Sequence, residues 1–183
     1  VYFADTTTKT LRAADKRGGV SRRIAGDPGP IAPYLRPGMV AVDDTSVYWM
    51  HEGEAAAATG WLERVSKDGQ SAYRVAEMQG QPVDVAVRGA TVAWVNLQGS
   101  IARADLAAPA GEFTTLSLGG QPNALVLSED AVVFTDYQKG TLSTVPLAGG
   151  AARVLAQGLA QPSFLAADAS DFFKQTSKLS AKA

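Results

Sequence analysis

The chain has 183 residues, a net charge of −1, 46% hydrophobic and 19% charged residues, a size and balance that suit one globular domain. Near-neutral charge offers no general attraction to nucleic acid or an anionic membrane, and no apolar run approaches the roughly 18 residues of a membrane span. The absence of cysteine excludes disulfide frameworks, cysteine-held zinc and thiol catalysis, and leaves the compartment open.

In chain order, short segments rich in Val, Leu, Tyr, Phe and Thr alternate with Gly, Pro, Asp and Ser, which predicts strands and tight turns. Val1-Tyr2-Phe3, Thr10-Leu11 and "SRRIA" (21–25) come first, with "KRGG" as a turn. Lys9, Arg12, Lys16, Arg17, Arg22 and Arg23 stand here against Asp15 alone; this reads as a strand edge guarded against aggregation, with an anion-binding patch as the alternative. After the proline-rich "GDPGPIAPYLRPG" (26–38) follow Val40-Ala41-Val42, Val47-Tyr48-Trp49, Trp61-Leu62 and "AYRVA". The same order recurs as Val85-Ala86-Val87, Val92-Ala93-Trp94, Ser100-Ile101 and "FTTLS" (113–117). It recurs again as Leu125-Val126-Leu127, Val132-Val133-Phe134, Thr141-Leu142 and "ARVLA". It begins a last time with Leu165-Ala166-Ala167, Phe172-Phe173 and Lys178-Leu179. No run holds a helical period; "GEAAAATG" (53–60) is too short for a helix of its own.

The punctuation is regular. "QP" stands at 81–82, 121–122 and 161–162, spaced by 40 residues, and "RP" at 36–37 lies 45 residues before the first. Four short strands in about 40 residues is the size of a propeller blade. The expected fold is therefore all-β, a β-propeller of four-stranded antiparallel blades in a single domain, 1–183. Partial blades cover 1–25 and 161–183, and full blades 36–80, 81–120 and 121–160: an arc of about four to five blades. The aromatics ending each second strand (Phe3, Trp49, Trp94, Phe134) are expected to plug the gaps between blades. Lys174 holds that place in the last unit and marks it as degenerate.

"VYFADTTTKTLRAADKRGG" (1–19) and "VVFTDYQKGTLSTVPLAGGAARVLAQGLAQPSFLAAD" (132–168) resemble the YWTD repeat and the related NHL- and TolB-like repeats of six-bladed β-propellers. Phe3-Ala4-Asp5 and Phe134-Thr135-Asp136 match the aromatic–small–aspartate element, and "VAVD" (40–43) and "LAAD" (165–168) match the closing one. The resemblance implies a six-bladed parent and favours a bacterial setting, periplasmic, extracellular or lipoprotein-anchored. In that family the aspartate ties blades together through backbone hydrogen bonds. Here its slot is filled by Asp5, His51, Asn96 and Asp136, so His51, the only histidine, reads as a structural residue that aspartate could replace.

The connections from strand two to three and from strand four to the next strand one emerge on one face. Two of them, 26–38 and 51–60, are longer than their counterparts, and loops on a rigid scaffold carry recognition. They nominate Tyr34, Arg36, His51, Glu52, Glu54 and Trp61 as ligand-binding residues. Asp84 and Asn123 are the strong polar groups expected near the central channel. No catalytic motif is visible: no HExxH, GxSxG, phosphate-binding glycine loop or EF-hand spacing. The expected function is non-enzymatic binding or scaffolding, toward a protein or small-molecule ligand, with no catalytic residue, metal site or cofactor. The alternative implied by the resemblance is part of a metal-dependent hydrolase or lyase, gluconolactonase-like or streptogramin-lyase-like, holding calcium or magnesium at the axis. Open blade faces at the ends of the arc would also favour self-association.

Overall fold

The computed structural model of the chain describes residues 1–26, 37–53 and 58–167. Their regular structure is entirely strand. Blade I holds β1 (Tyr2–Asp5), β2 (Thr10–Ala13) and β3 (Arg22–Ala25). Blade II holds β4 (Pro37–Val42), β5 (Ser46–His51), β6 (Gly60–Ser66) and β7 (Ala72–Gln79). Blade III holds β8 (Pro82–Arg88), β9 (Thr91–Asn96), β10 (Ser100–Asp105) and β11 (Thr114–Leu118). Blade IV holds β12 (Pro122–Leu127), β13 (Ala131–Asp136), β14 (Thr141–Pro146) and β15 (Arg153–Gln157). Each sheet is a meander in which every strand pairs antiparallel with the next. The first strands lie side by side, β4 against β8 and β8 against β12. Sheets that touch through their first strands and fan outward form an all-β propeller arc.

The period-two pattern explains why the blades stack. In β5, Val47 and Trp49 point to one side and pack with Leu11 and Ile24 of blade I. Tyr48 and Met50 point to the other and pack with Val85, Val92 and Trp94 of blade III. All six residues of β5 are buried. A strand buried on both faces needs a blade on either side, which accounts for its unbroken apolar run. Trp94 faces blade II, and Phe134 faces Ala93, Val95 and Leu116 of blade III. Trp49, Trp94 and Phe134 thus each plug the seam toward the preceding blade.

The "QP" pairs acquire a mechanical reason. Pro82 and Pro122 open β8 and β12, where a missing ladder donor costs little. The preceding glutamine carbonyls accept the N–H groups of Leu97 and Tyr137, both at 2.9 Å, and tie each first strand to the end of its second. Arg22 and Arg23 lie on β3, the outer edge of blade I; Arg12 is held by Ser21 (Nε to Oγ 2.9 Å, Nη2 to O 2.9 Å) and Arg22 donates to the Lys67 carbonyl at 2.7 Å. Beyond blade IV, 161–167 forms no strand, contrary to the pattern at Leu165-Ala166-Ala167. Phe172, Phe173, Lys174, Lys178 and Leu179 lie outside the described residues. Among the described residues no helix is long and apolar enough to cross a membrane.

Candidate functional site

The repeat places one residue at the end of every second strand, paired with the first residues of the third. Asp5 faces Thr10, Asn96 faces Ser100 and Asp136 faces Thr141. At the same place in blade II, His51 faces Trp61. The aspartates cap their own turn: Asp5 Oδ1 accepts from the N–H groups of Thr7 and Thr8, each at 3.0 Å. Asp136 Oδ1 accepts from those of Gln138 and Lys139, at 3.1 and 2.9 Å. These bonds close a turn within one blade, where the resemblance implied a tie between blades.

His51 acts through its ring faces. Trp61 stacks on it with centroids 4.1 Å apart and planes 16° from parallel. Trp49, two residues earlier on the same face of β5, lies 4.1 Å away at 44°. The Arg74 guanidinium, from β7, sits 4.6 Å from the Trp61 ring centre. The result is a ladder, Trp49–His51–Trp61–Arg74, running from a fully buried indole to a half-exposed cation. Glu63 lies directly between Trp49 and Arg74 in the strand register. Its Oε2 is 3.4 Å from His51 Nε2, an ion-pair distance without good hydrogen-bond alignment. Burial pushes the His51 pKa below its ordinary value and Glu63 opposes that shift, so the ring is neutral at pH 7.

Local sequence builds this ladder. Gly60 opens β6 in a space only glycine fits: a Cβ there would lie 2.6 Å from Pro82 Cδ and 2.6 Å from the Glu52 carbonyl. That approach sets the start of β6 against Pro82 of blade III, and the next residue, Trp61, lies beside His51. Glu52 is half-buried next to His51. Of the six residues nominated by loop length, the fold therefore gathers His51, Glu52 and Trp61 at one strand end. Tyr34, Arg36 and Glu54 lie outside the described residues. Trp49, Glu63 and Arg74 were missed; the signal available for them was the bulky Trp61 where the other blades carry Thr10, Ser100 and Thr141.

Asp84 and Asn123, the residues expected near the channel, each hold a backbone group of another segment. Asp84 accepts from Val85 N–H through Oδ1 and from Leu125 N–H of blade IV through Oδ2, both at 2.9 Å. Burial raises its pKa, and those two N–H groups pull against the rise. Asn123 Nδ2 donates to the Ser163 carbonyl at 2.9 Å. Each is a fastener to the segment about one repeat further on. A third seam is closed by Gln79, whose buried Oε1 accepts from Trp94 Nε1 (2.8 Å) and Asn96 Nδ2 (3.0 Å). Among the described residues no three His, Asp or Glu side chains stand together as metal ligands.

The sequence matches no protein-family model and no curated protein. The fold does match solved structures. A crystal structure of a nidogen/laminin complex superposes with a TM-score of 0.71 at 17% identity, over 91% of this chain and 64% of that one. A streptogramin B lyase superposes at 0.68 and 16% identity, over 88% of this chain and 53% of that one. A computationally designed protein, Ika4, follows at 0.57 and 16%, over 73% and 81%. Identities this low establish the propeller fold alone. The chain spans less than two thirds of the first two structures it resembles.

Proposed function

We propose that this part of the ring is a non-enzymatic recognition module that binds a protein partner at the end of blade II where Trp61 and Arg74 emerge. The observation that carries the reading is the ladder itself. A half-buried tryptophan, fixed from below by His51 and overlaid by an arginine that Glu77 holds through Nη1 at 2.8 Å, has the composition of a binding hot spot: rigid aromatic area, a planar cation and little conformational entropy to lose. Glu63 and Glu52 beside it supply acceptors for a polar rim. The nidogen/laminin likeness favours a protein over a small molecule as the partner.

The metal-dependent hydrolase or lyase reading needs carboxylate and amide oxygens turned toward a cation at the axis. Each Asp84 carboxylate oxygen already accepts a backbone N–H, one of them from blade IV, which supports a fastening role for this residue and favours the binding reading. The test is selection of peptides from a displayed random library on the immobilised chain, followed by affinity measurements on Trp61→Ala and Arg74→Ala. Peptides that lose about tenfold or more on Trp61→Ala support the proposal, since hot-spot truncations cost upwards of about 2 kcal/mol. Failure to enrich any binder, or binders indifferent to both substitutions, would overturn it.

A further inference from the structure

The opposite end of the blades carries a second site. Between blades II and III, among the turns that join β4 to β5, β8 to β9 and β10 to β11, lies an open cleft of about 640 Å³. This is within the size range of small-molecule sites. Val42, Val87 and Leu106 give it an apolar wall. Val42 is 48% exposed, a large aliphatic side chain left facing the cleft.

Two opposite charges flank that wall. Arg64 projects from β6 and is held by three hydroxyls: Nε donates to Ser46 Oγ at 2.8 Å, Nη1 to Tyr73 OH at 2.9 Å and Nη2 to Thr45 Oγ1 at 3.4 Å. The rings of Tyr48 and Tyr73 each lie 5.8 Å from its guanidinium carbon. Among the described residues no carboxylate comes within ion-pair distance of it. A guanidinium has five N–H groups, so donors remain for a planar anion, and the hydroxyls have already fixed its orientation. The second charge is Asp44, exposed in the β4–β5 turn. Its carbonyl accepts from Lys67 Nζ at 3.1 Å, whereas its carboxylate makes no hydrogen bond or ion pair among those the described residues show. Its neighbour Asp43 is different. That carboxylate takes the N–H groups of Thr45 and Ser46, each at 2.7 Å, and the Tyr48 hydroxyl at 2.7 Å. Burial opposes its ionisation, yet those donors bring its pKa down to about 2, so it is a turn-former that stays charged.

We propose that this cleft binds a small zwitterion with an apolar body, of the α-amino acid class: carboxylate on Arg64, ammonium on Asp44, side chain against Val42, Val87 and Leu106. Neither charge alone accounts for the site, because a simple anion meets Asp43 and Asp44 and a simple cation meets Arg64. A ligand carrying both groups on one carbon satisfies them together. The site is separate from the Trp61–Arg74 end, so the two proposals stand or fall independently.

The test uses the full chain, isotopically labelled, titrated with L-phenylalanine up to about 10 mM, a weak-binding range, with hydrocinnamate and phenethylamine as single-charge controls. L-phenylalanine is expected to shift the backbone amides of Thr45, Gly89, Ala90 and Ala107 saturably, and each control to bind at least about tenfold more weakly, the loss of one charge-assisted contact. Asp44→Asn and Arg64→Lys should each weaken binding to a similar degree. Asp44→Asn keeps the turn and its carbonyl bond, so a binding loss at an unchanged melting temperature reads the site and not the fold. No saturable shift in the wild type would overturn the proposal. So would hydrocinnamate binding as tightly as L-phenylalanine, or binding untouched by Asp44→Asn.

Discussion

Replacing His51 separates two meanings of its position. By repeat alone His51→Asp is conservative, because Asp5 and Asp136 occupy the equivalent place. The geometry says otherwise. Those aspartates sit opposite Thr10 and Thr141 and turn toward their own backbone N–H groups. His51 sits opposite Trp61, between two indoles, with Glu63 Oε2 3.4 Å from its ring nitrogen. His51→Ala removes two aromatic contacts, each about 0.5–1.5 kcal/mol beyond the area they bury, and leaves a gap between the rings; a total of about 2–4 kcal/mol follows. His51→Asp removes the same contacts and adds a second carboxylate to a site that is 8% exposed and already holds one, which raises the cost to about 3–5 kcal/mol at pH 7. Urea unfolding followed by tryptophan fluorescence should rank wild type above Ala above Asp. The double variant His51→Asp with Glu63→Gln should recover part of the difference, because the like-charge contact is then gone. An aspartate variant as stable as wild type, or more stable than the alanine, would refute this account and restore the purely positional one.

Gln79→Ala should cost about 2–4 kcal/mol, since it strips the acceptor from Trp94 Nε1 and from one Asn96 donor in a buried seam. Gln157→Ala, which like Gln79 ends the fourth strand of its blade but is exposed, should stay within about 0.5 kcal/mol; equal losses in the two would defeat the seam explanation. The depressed pKa of His51 makes stability pH-dependent in a definite sense. The unfolded chain takes up the proton first, so the contribution of neutral His51 is complete above the ordinary value of 6.5 and is lost as pH falls through the lower folded pKa. Tryptophan emission should be quenched over the same interval, because an imidazolium would then lie against Trp49 and Trp61, and His51→Gln should abolish that step; quenching centred above 6.5 would contradict the buried neutral ring.

The blades were legible in the sequence because period two, proline punctuation and the aromatic at each second strand's end are all local signals. Phe134 and Trp94 could be assigned to seams from their place in the repeat. The chemistry of the seams was not legible. For Asp84 and Asn123, spacing along the chain does not tell that a carboxylate oxygen meets the Leu125 N–H or that an amide nitrogen meets the Ser163 carbonyl. The candidate site was half visible. His51 stood out as a departure from Asp and Trp61 was nominated by loop length, and the register makes them one cross-strand pair. Glu63 and Arg74 carry no such mark, because charged residues in outer strands are ordinary, and only the register of β5, β6 and β7 puts them in the same row. The cleft around Arg64 was invisible for a related reason: its parts come from two blades and three turns, and no periodicity links them.

The fasteners at the three seams differ in kind: an amide oxygen from an outer strand for blades II and III, a carboxylate from an inner strand for III and IV, an inner-strand amide nitrogen for IV and the segment after it. Outlines repeat, but locks do not. Averaging the units into one consensus blade would keep every strand and erase the features that tell one neighbour from another. From blade II onward each blade carries, in effect, an address for the next, so the order of the units along the arc is written into their joints.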